Sequence, residues 1–261
     1  MHYEFACLTD CGMVRANNED AVFMDPSRGL AVLADGMGGY NAGEVASGMA
    51  TSLLAEHLGR WLDDAGPEPD GRDLRRAMQT CVAEVNCAIY ESAQANAHYA
   101  GMGTTLVVAV FQGPRVVVGH IGDSRLYRLR SGSLSRVTRD HSLLQEQLDA
   151  GLITPQQAAV SVHRNLVTRA LGVDEAVLLE VAEHRVEPGD CYLLCSDGLS
   201  DMVDDAGIAA LLGQDASAEA RARALVEAAN ARGGRDNISV LLVQAGGTTA
   251  KRGLMSRLLG P

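Results

Sequence analysis

The residues in this chain best suited to chemistry are carboxylates, and they recur beside glycine at points far apart in sequence. Glu19 and Asp20 lie in RANNEDA, Asp35-Gly36 in LADGMGG, Asp123 in GDSRLY, Asp197 and Asp201 in CSDGLSD, and Asp236 in GGRDNISV. Strand ends are rigid while the adjoining turns face solvent, so several such carboxylates can converge on one cleft. Aspartates without histidine or cysteine partners favour hard cations such as Mg2+, Mn2+ or Ca2+ over Zn2+. Gly36 would let a backbone carbonyl approach an ion. Two such ions ~3.5–4 Å apart can share a water and make it a nucleophile near neutral pH. A calcium loop is excluded locally, because no D-x-D-x-D-G run with a terminal Glu is present. Taken singly, each motif is also an ordinary turn or helix cap. Asp201, four residues after Asp197, reads on its own as a helix N-terminal charge, and Arg15 as a surface residue. Their joint occurrence points to a metal centre.

The elements that must hold these residues follow from periodicity. Residues 3–9 and 21–25 read as short strands. The run 30–34 (LAVLA), bounded by Gly29 and the Asp35-Gly36 turn, reads as a buried strand. From 42 to 61 the pattern is helical, with Asn41 as cap and Val45, Met49, Leu53, Leu54 and Leu58 on one face. After a break at Pro67, Pro69 and Gly71, a second helix aligns Leu74, Met78, Cys81, Val82, Val85 and Ile89. Strands at 104–111, 115–121 and 126–130 are joined by Gly113-Pro114 and Gly122-Asp123-Ser124, turns short enough to require antiparallel pairing. Residues 141–171 are polar and weakly periodic, with short helical pieces at 142–150 and 155–160. Strands at 177–185, 191–195 and 239–244 and helices at 205–212 and 218–231 complete the pattern. Paired strands interleaved with helix pairs predict a single α+β domain over 1–245, two antiparallel sheets covered by helices. Residues 246–261 are locally basic (Lys251, Arg252, Arg257) and are expected to form a frayed terminus.

Composition narrows the function further. With 22 Lys and Arg against 33 Asp and Glu, the net charge is -11, which repels nucleic acid and anionic lipid. An acidic protein still binds phosphate where carboxylates are committed to divalent cations that reverse the local field. The six cysteines form no CxxC pair and are expected as buried free thiols of a reducing compartment. No secretory signal is visible in MHYEFACLTD, and no apolar run approaches the ~20 residues that span a bilayer. A cytoplasmic location and a monomer are expected, without nucleic acid or membrane insertion.

The ordered set LTDCGMVRANNEDA, LAVLADGMGGYNAGEVAS, GMGTTL, HIGDSRLYRLR, TRDHSL, LLCSDGLSD and GGRDNISVLLV resembles the PPM family of metal-dependent Ser/Thr protein phosphatases (the protein phosphatase 2C type) in its compact bacterial form. The match runs over about residues 5–244. The resemblance implies a four-layer α-β-β-α sandwich that holds two Mn2+ or Mg2+ ions at one edge of its sheets. By position, Asp35, Asp197 and Asp236 would ligate the first ion, and Asp35 with the Gly36 carbonyl the second. Glu19 would act through bound waters and Asp20 would orient that shell. Asp123 and Asp201, with Asp197, match a third, weaker metal site. Arg15 matches the arginine that binds substrate phosphate, its planar fork suiting two phosphate oxygens. Asn237 would support the shell by hydrogen bonding. Arg15, Asp35 and Asp236 are the expected catalytic residues.

The implied reaction is hydrolysis of protein phosphoserine or phosphothreonine by in-line attack of the shared water, opposing a eukaryote-like Ser/Thr kinase. No cysteine sits in a C-x5-R loop, which argues against a thiol nucleophile. Met37 stands where many relatives carry His, and Tyr40 where bacterial ones often do, so no side chain is assigned as general acid and a bound water fills that role. His120 and His141 read as structural. The segment 141–171 lies where the family has a mobile flap. Two rivals are weaker: a catalytically dead binding module would have lost metal-site aspartates, and a nuclease would not carry this charge.

Overall fold

The apolar run at 30–34 is buried on both faces. In strand β3 (Leu30–Met37), Leu30, Val32 and Ala34 join one core cluster while Ala31 and Leu33 join another, all fully buried. Successive side chains of a strand point to opposite faces, so β3 lies inside a stack with layers above and below it. The structure is a computed structural model that describes residues 1–39, 42–159 and 166–246.

Two antiparallel sheets form the centre. One has the order β2 (Asp20–Asp25), β3, β5 (Leu106–Gln112), β6 (Arg115–Ile121) and β9 (Glu180–Arg185), with the short β4 (Gly103–Thr104) paired to the end of β3. The other has the order β1 (His2–Asp10), β11 (Ile238–Gly246), β10 (Cys191–Cys195), β7 (Arg125–Arg130) and β8 (Ser133–Arg136). Phe5, Leu33, Val107, Phe111, Tyr192 and Leu241 fill the space between the sheets, with Phe111 edge-on to Phe5 and Tyr192. Helices α1 (Ala42–Ala65) and α2 (Gly71–Ala95) cover the first sheet, placing Leu54, Leu58, Met78 and Ile89 against Leu106, Val108 and Val110. Helices α5 (Asp197–Ser200), α6 (Asp205–Leu212) and α7 (Ala218–Ala231) cover the second, through Leu199, Ile208 and Leu225 against Leu193 and Leu242. This is the expected α-β-β-α sandwich. Each buried Leu of these clusters contributes about 1.5–3 kcal/mol of transfer free energy. Helices α3 (Leu143–Asp149) and α4 (Pro155–Ala159) lie in the connection from β8 to β9.

The departures from the expected elements are local. The strand expected at 104–111 is split at Thr105, because Thr104 Oγ1 and Thr105 N both donate to the Asp35 carbonyl and draw the chain off the ladder. Strand β8 (Ser133–Arg136) is a half-exposed edge with no apolar alternation to announce it. The strand expected from 177 begins at Glu180, and β11 reaches Gly246, one residue into the expected tail. The cap expected at Asn41, Tyr40 and the rest of the tail lie outside the described residues. All six cysteines are free thiols, although Cys87 is exposed. No helix among the described residues is long and apolar enough to cross a membrane.

Candidate metal centre

Both sheets end their strands at the same edge, and there the carboxylates meet. Asp20 opens β2 directly opposite Asp35 of β3 in the register of the first sheet. Asp236 precedes β11, and Asp197 begins α5 just after β10; these are neighbouring strands of the second sheet. Asp123 occupies the turn from β6 to β7, where the chain passes from one sheet to the other. Glu19 and Arg15 come from the loop between β1 and β2. The result is a cleft of ≈ 270 Å³ bordered by Arg15, Glu19, Asp35, Gly36, Asp123, Asp197 and Asp236, with Met37, Gly38, Thr105 and Val167 completing the wall. Of the remaining expected residues, Asp20 lies buried behind Asp35, and Asp201 stands near enough to Asp197 and Asp123 to perturb both without lining the cleft. His120 and His141 do not line it.

The loop that carries Glu19 is tied down from across the sandwich. Asn237 donates from Nδ2 to the carbonyls of Cys11 (3.0 Å) and Asn17 (2.8 Å) and accepts from the Glu19 backbone N–H (2.8 Å). The Glu19 carbonyl accepts from Gly36 N (3.0 Å) and from Ser47 Oγ of α1 (2.6 Å). Gly36 sits between that carbonyl and Gly43; a Cβ there would lie 2.2 Å from the Gly43 oxygen, so only glycine lets α1 close on the site. At Gly198 a Cβ would lie 2.0 Å from the Asn237 carbonyl, with the same consequence for α5 and β11. Ser196 donates to Asp20 Oδ2 (2.8 Å) and accepts from Ser239 N (3.0 Å), and Thr105 Oγ1 accepts from Asp35 N (3.1 Å) while bonding Ser124 Oγ (2.7 Å). Sequence reasoning missed Ser196, Thr105 and Ser47. The one signal was a hydroxyl placed directly after a buried run, as Ser196 follows CYLLC.

Arg15 turns inward, and its Nη2 donates to Asp236 Oδ2 at 2.7 Å. Burial, then the charges of Asp20, Asp197, Asp123 and Asp236, push the Asp35 carboxyl well above its ordinary range. Burial and the same neighbourhood do likewise to Asp197. Asp20 is pushed up to about 7 by burial, against hydrogen bonds from Ser239 and Ser196 that pull it down. Asp123 is pushed up to about 6 by burial and by Asp140, and burial raises Glu19 as well. Arg15 and Arg125 offset only part of this charge, and Asp20 Oδ1 is buried without a hydrogen-bond partner. The donor set is all oxygen, from carboxylates at rigid strand ends together with the Gly36 carbonyl. It fits hard divalent cations and not Zn2+ or a soft metal.

Comparison with known proteins agrees with this geometry. A profile of the protein phosphatase 2C family matches residues 13–236. The serine/threonine protein phosphatase PstP of Mycobacterium tuberculosis is 43% identical over 239 residues, 91% of this chain and 44% of that protein, so the chain spans under half the length of that relative. The serine/threonine phosphatase stp of Listeria innocua is 37% identical over 247 residues, covering 94% of this chain and 96% of the relative. The catalytic domain of PstP in complex with two manganese ions superposes with a TM-score of 0.83 at 40% identity, over 94% of this chain and 99% of that one.

Proposed function

Because the chain belongs to the protein phosphatase 2C family, we propose that it is a metal-dependent phosphatase of phosphoserine and phosphothreonine in proteins, with two Mn2+ or Mg2+ ions as its cofactor. The observation that carries this reading is the convergence of Asp35, Asp123, Asp197 and Asp236 from both sheets on one cleft that also holds Glu19 and Arg15. Asp35, Asp197 and Asp236 would hold one ion, Asp35 and the Gly36 carbonyl the other, and Asp123 and Asp201, with Asp197, a third, weaker one. When bound, such ions supply Lewis acidity and a water nucleophile near neutral pH.

The chain's own residues then have distinct tasks. Asn237 holds the loop that carries Glu19, Asp20 would orient the shell around the ions, and Ser196 holds Asp20. Arg15, exposed on its outer side and paired with Asp236 on its inner side, is placed to take a phosphoryl oxygen with the rest of its fork and to stabilise charge as it builds on the equatorial oxygens. The open, 270 Å³ cleft suits a phosphorylated side chain presented from a protein surface. Phosphoprotein substrates require a kinase that makes them, and a Ser/Thr kinase is the counterpart we assign.

The test is hydrolysis of a phosphothreonine peptide by wild type and Asp236→Ala, with EDTA, Mg2+ or Mn2+. Activity should require added metal and fall at least ~100-fold in the variant, the usual scale for a lost catalytic group. Folded wild type that is inactive with every metal would overturn the proposal.

A further inference from the structure

The turn that carries Asp123 is gripped at Gly122 and Arg125 by two consecutive residues, His141 and Asp140. On one side, Arg125 Nε and Nη2 fork onto the Asp140 carboxylate, with Nη2 at 2.7 Å from Oδ2. On the other, Gly122 and His141 bond reciprocally: His141 N donates to the Gly122 carbonyl (2.9 Å), and Gly122 N donates to His141 Nδ1 (3.1 Å). His141 also fixes the opposite lip of the cleft. Its carbonyl accepts from Thr168 N (2.8 Å), the neighbouring Ser142 bridges to Val167, and Leu143 N donates to the Leu166 carbonyl (2.9 Å). Val167 lines the cleft with Asp123. His141 therefore stands between the two, its backbone bonded to the Val167 wall and its imidazole to the Asp123 turn.

The tautomer follows from the partners. A backbone N–H only donates, so Nδ1 of His141 is the acceptor and its proton resides on Nε2, which faces Glu180 Oε2 at 3.2 Å. His120 stacks on this ring with centroids 4.7 Å apart, and its own Nε2 donates to the Arg139 carbonyl at 2.8 Å. His120, His141 and Glu180 lie close enough together to suggest a metal site, but both Nε2 protons are already committed and the rings lie face to face. The cluster is a hydrogen-bonded brace. Burial holds the His141 imidazole below its ordinary value, against the upward pull of its Glu180 hydrogen bond, which keeps Nδ1 free to accept.

We propose that His141 is a positioning residue for phosphoprotein binding: its Nδ1 acceptor locks the Asp123 turn onto the segment whose backbone holds the Val167 lip. The proposal rests on the phosphatase reading above. A small aryl phosphate needs only the carboxylates and Arg15, whereas a phosphopeptide must also meet the lips, so the two substrates separate positioning from chemistry.

The experiment measures kcat and KM for para-nitrophenyl phosphate and a phosphothreonine peptide, in saturating Mn2+, with melting temperatures recorded for each protein. His141→Ala and His141→Phe, the latter keeping a ring for His120 to stack on, should raise the peptide KM about tenfold, the size set by losing a buried hydrogen bond and stranding its donor. KM for the aryl phosphate should stay within about threefold. His141→Asn puts Oδ1 where Nδ1 was and should restore the peptide KM to within about threefold of wild type. Glu180 is half exposed, so Glu180→Lys endangers the fold little; by favouring the other tautomer it should raise the peptide KM in the same direction. If the Ala and Phe variants do not fold, the Asn and Lys variants decide alone. An Asn variant that lacks the wild-type peptide KM, a Lys variant that keeps it, or equal KM changes for both substrates would overturn the inference. Wild type that hydrolyses neither substrate would instead bring down the phosphatase reading itself.

Discussion

Replacing Asp123 by Asn should stabilise the metal-free protein. Asp123 is 8% exposed, and burial together with the nearby Asp140 charge lifts its carboxyl from 3.8 to about 6, against the pull of Arg125. The folded state therefore binds this proton more tightly than the unfolded chain. The corresponding stability is fully present below about pH 4 and is lost as the pH rises through 6. At about 1.4 kcal/mol per unit of pKa, the charged form costs the fold about 3 kcal/mol at pH 7.5. Asp20, pushed up to about 7, adds a cost of the same sign that completes at higher pH. Asn keeps the shape and removes the charge. In a domain of this size 3 kcal/mol is worth roughly 6 °C or more of melting temperature. The assay is thermal unfolding in EDTA at pH 5.5 and 7.5. Wild type should melt lower at 7.5 than at 5.5, and Asp123→Asn should regain several degrees at 7.5 with a smaller gain at 5.5. Added Mn2+ should reverse the pH trend for wild type, because ions and protons compete for the same carboxylates. An Asp123→Asn protein that melts below wild type in EDTA at pH 7.5 would refute the reasoning.

Two further outcomes follow from the site. Arg15→Lys keeps the charge but not the planar fork, so it should raise KM for a phosphopeptide about tenfold or more while leaving the melting temperature within about 2 °C, as expected for a half-exposed side chain; steady-state kinetics and a melt check both halves. Asn237→Ala strands the Glu19 N–H and the carbonyls of Cys11 and Asn17. It should cost about 2–4 kcal/mol in urea unfolding and weaken Mn2+ binding measured by calorimetry about 10- to 100-fold.

Several of the carboxylates were legible because they border an apolar run, where a charge has no structural reason to sit unless it is used. Asp35 after LAVLA and Asp197 after CYLLCS are of this kind. The alternation within 30–34 likewise announces a strand covered on both faces. What remained hidden depends on contacts between distant residues. Nothing local reveals that Ser196 points at Asp20, 176 positions away, or that Thr105 leaves its strand to serve Asp35. The pairing of Arg15 with Asp236 spans 221 positions and has no local signal. Strand β8 was hidden for a different reason: an edge strand with exposed faces is held by its ladder to β7 and needs no apolar pattern.

The same packing that makes the site costly makes it selective. Two sheets pressed on a common core of Leu33, Val107, Tyr192 and Leu241 leave their strand ends little freedom, so the carboxylates cannot separate to relieve their repulsion. Burial, with that repulsion added to it, makes Asp20 and Asp123 hold their protons to unusually high pH. A divalent ion relieves far more of it than a proton does, since one ion neutralises two carboxylates and accepts several oxygens at once. Loosening the scaffold would lower the repulsion and with it the drive to bind ions. Substitutions that relax the core beneath the site should thus weaken cation binding before they disturb any ligand, and the tight Gly36 and Gly198 contacts are where that coupling is strongest.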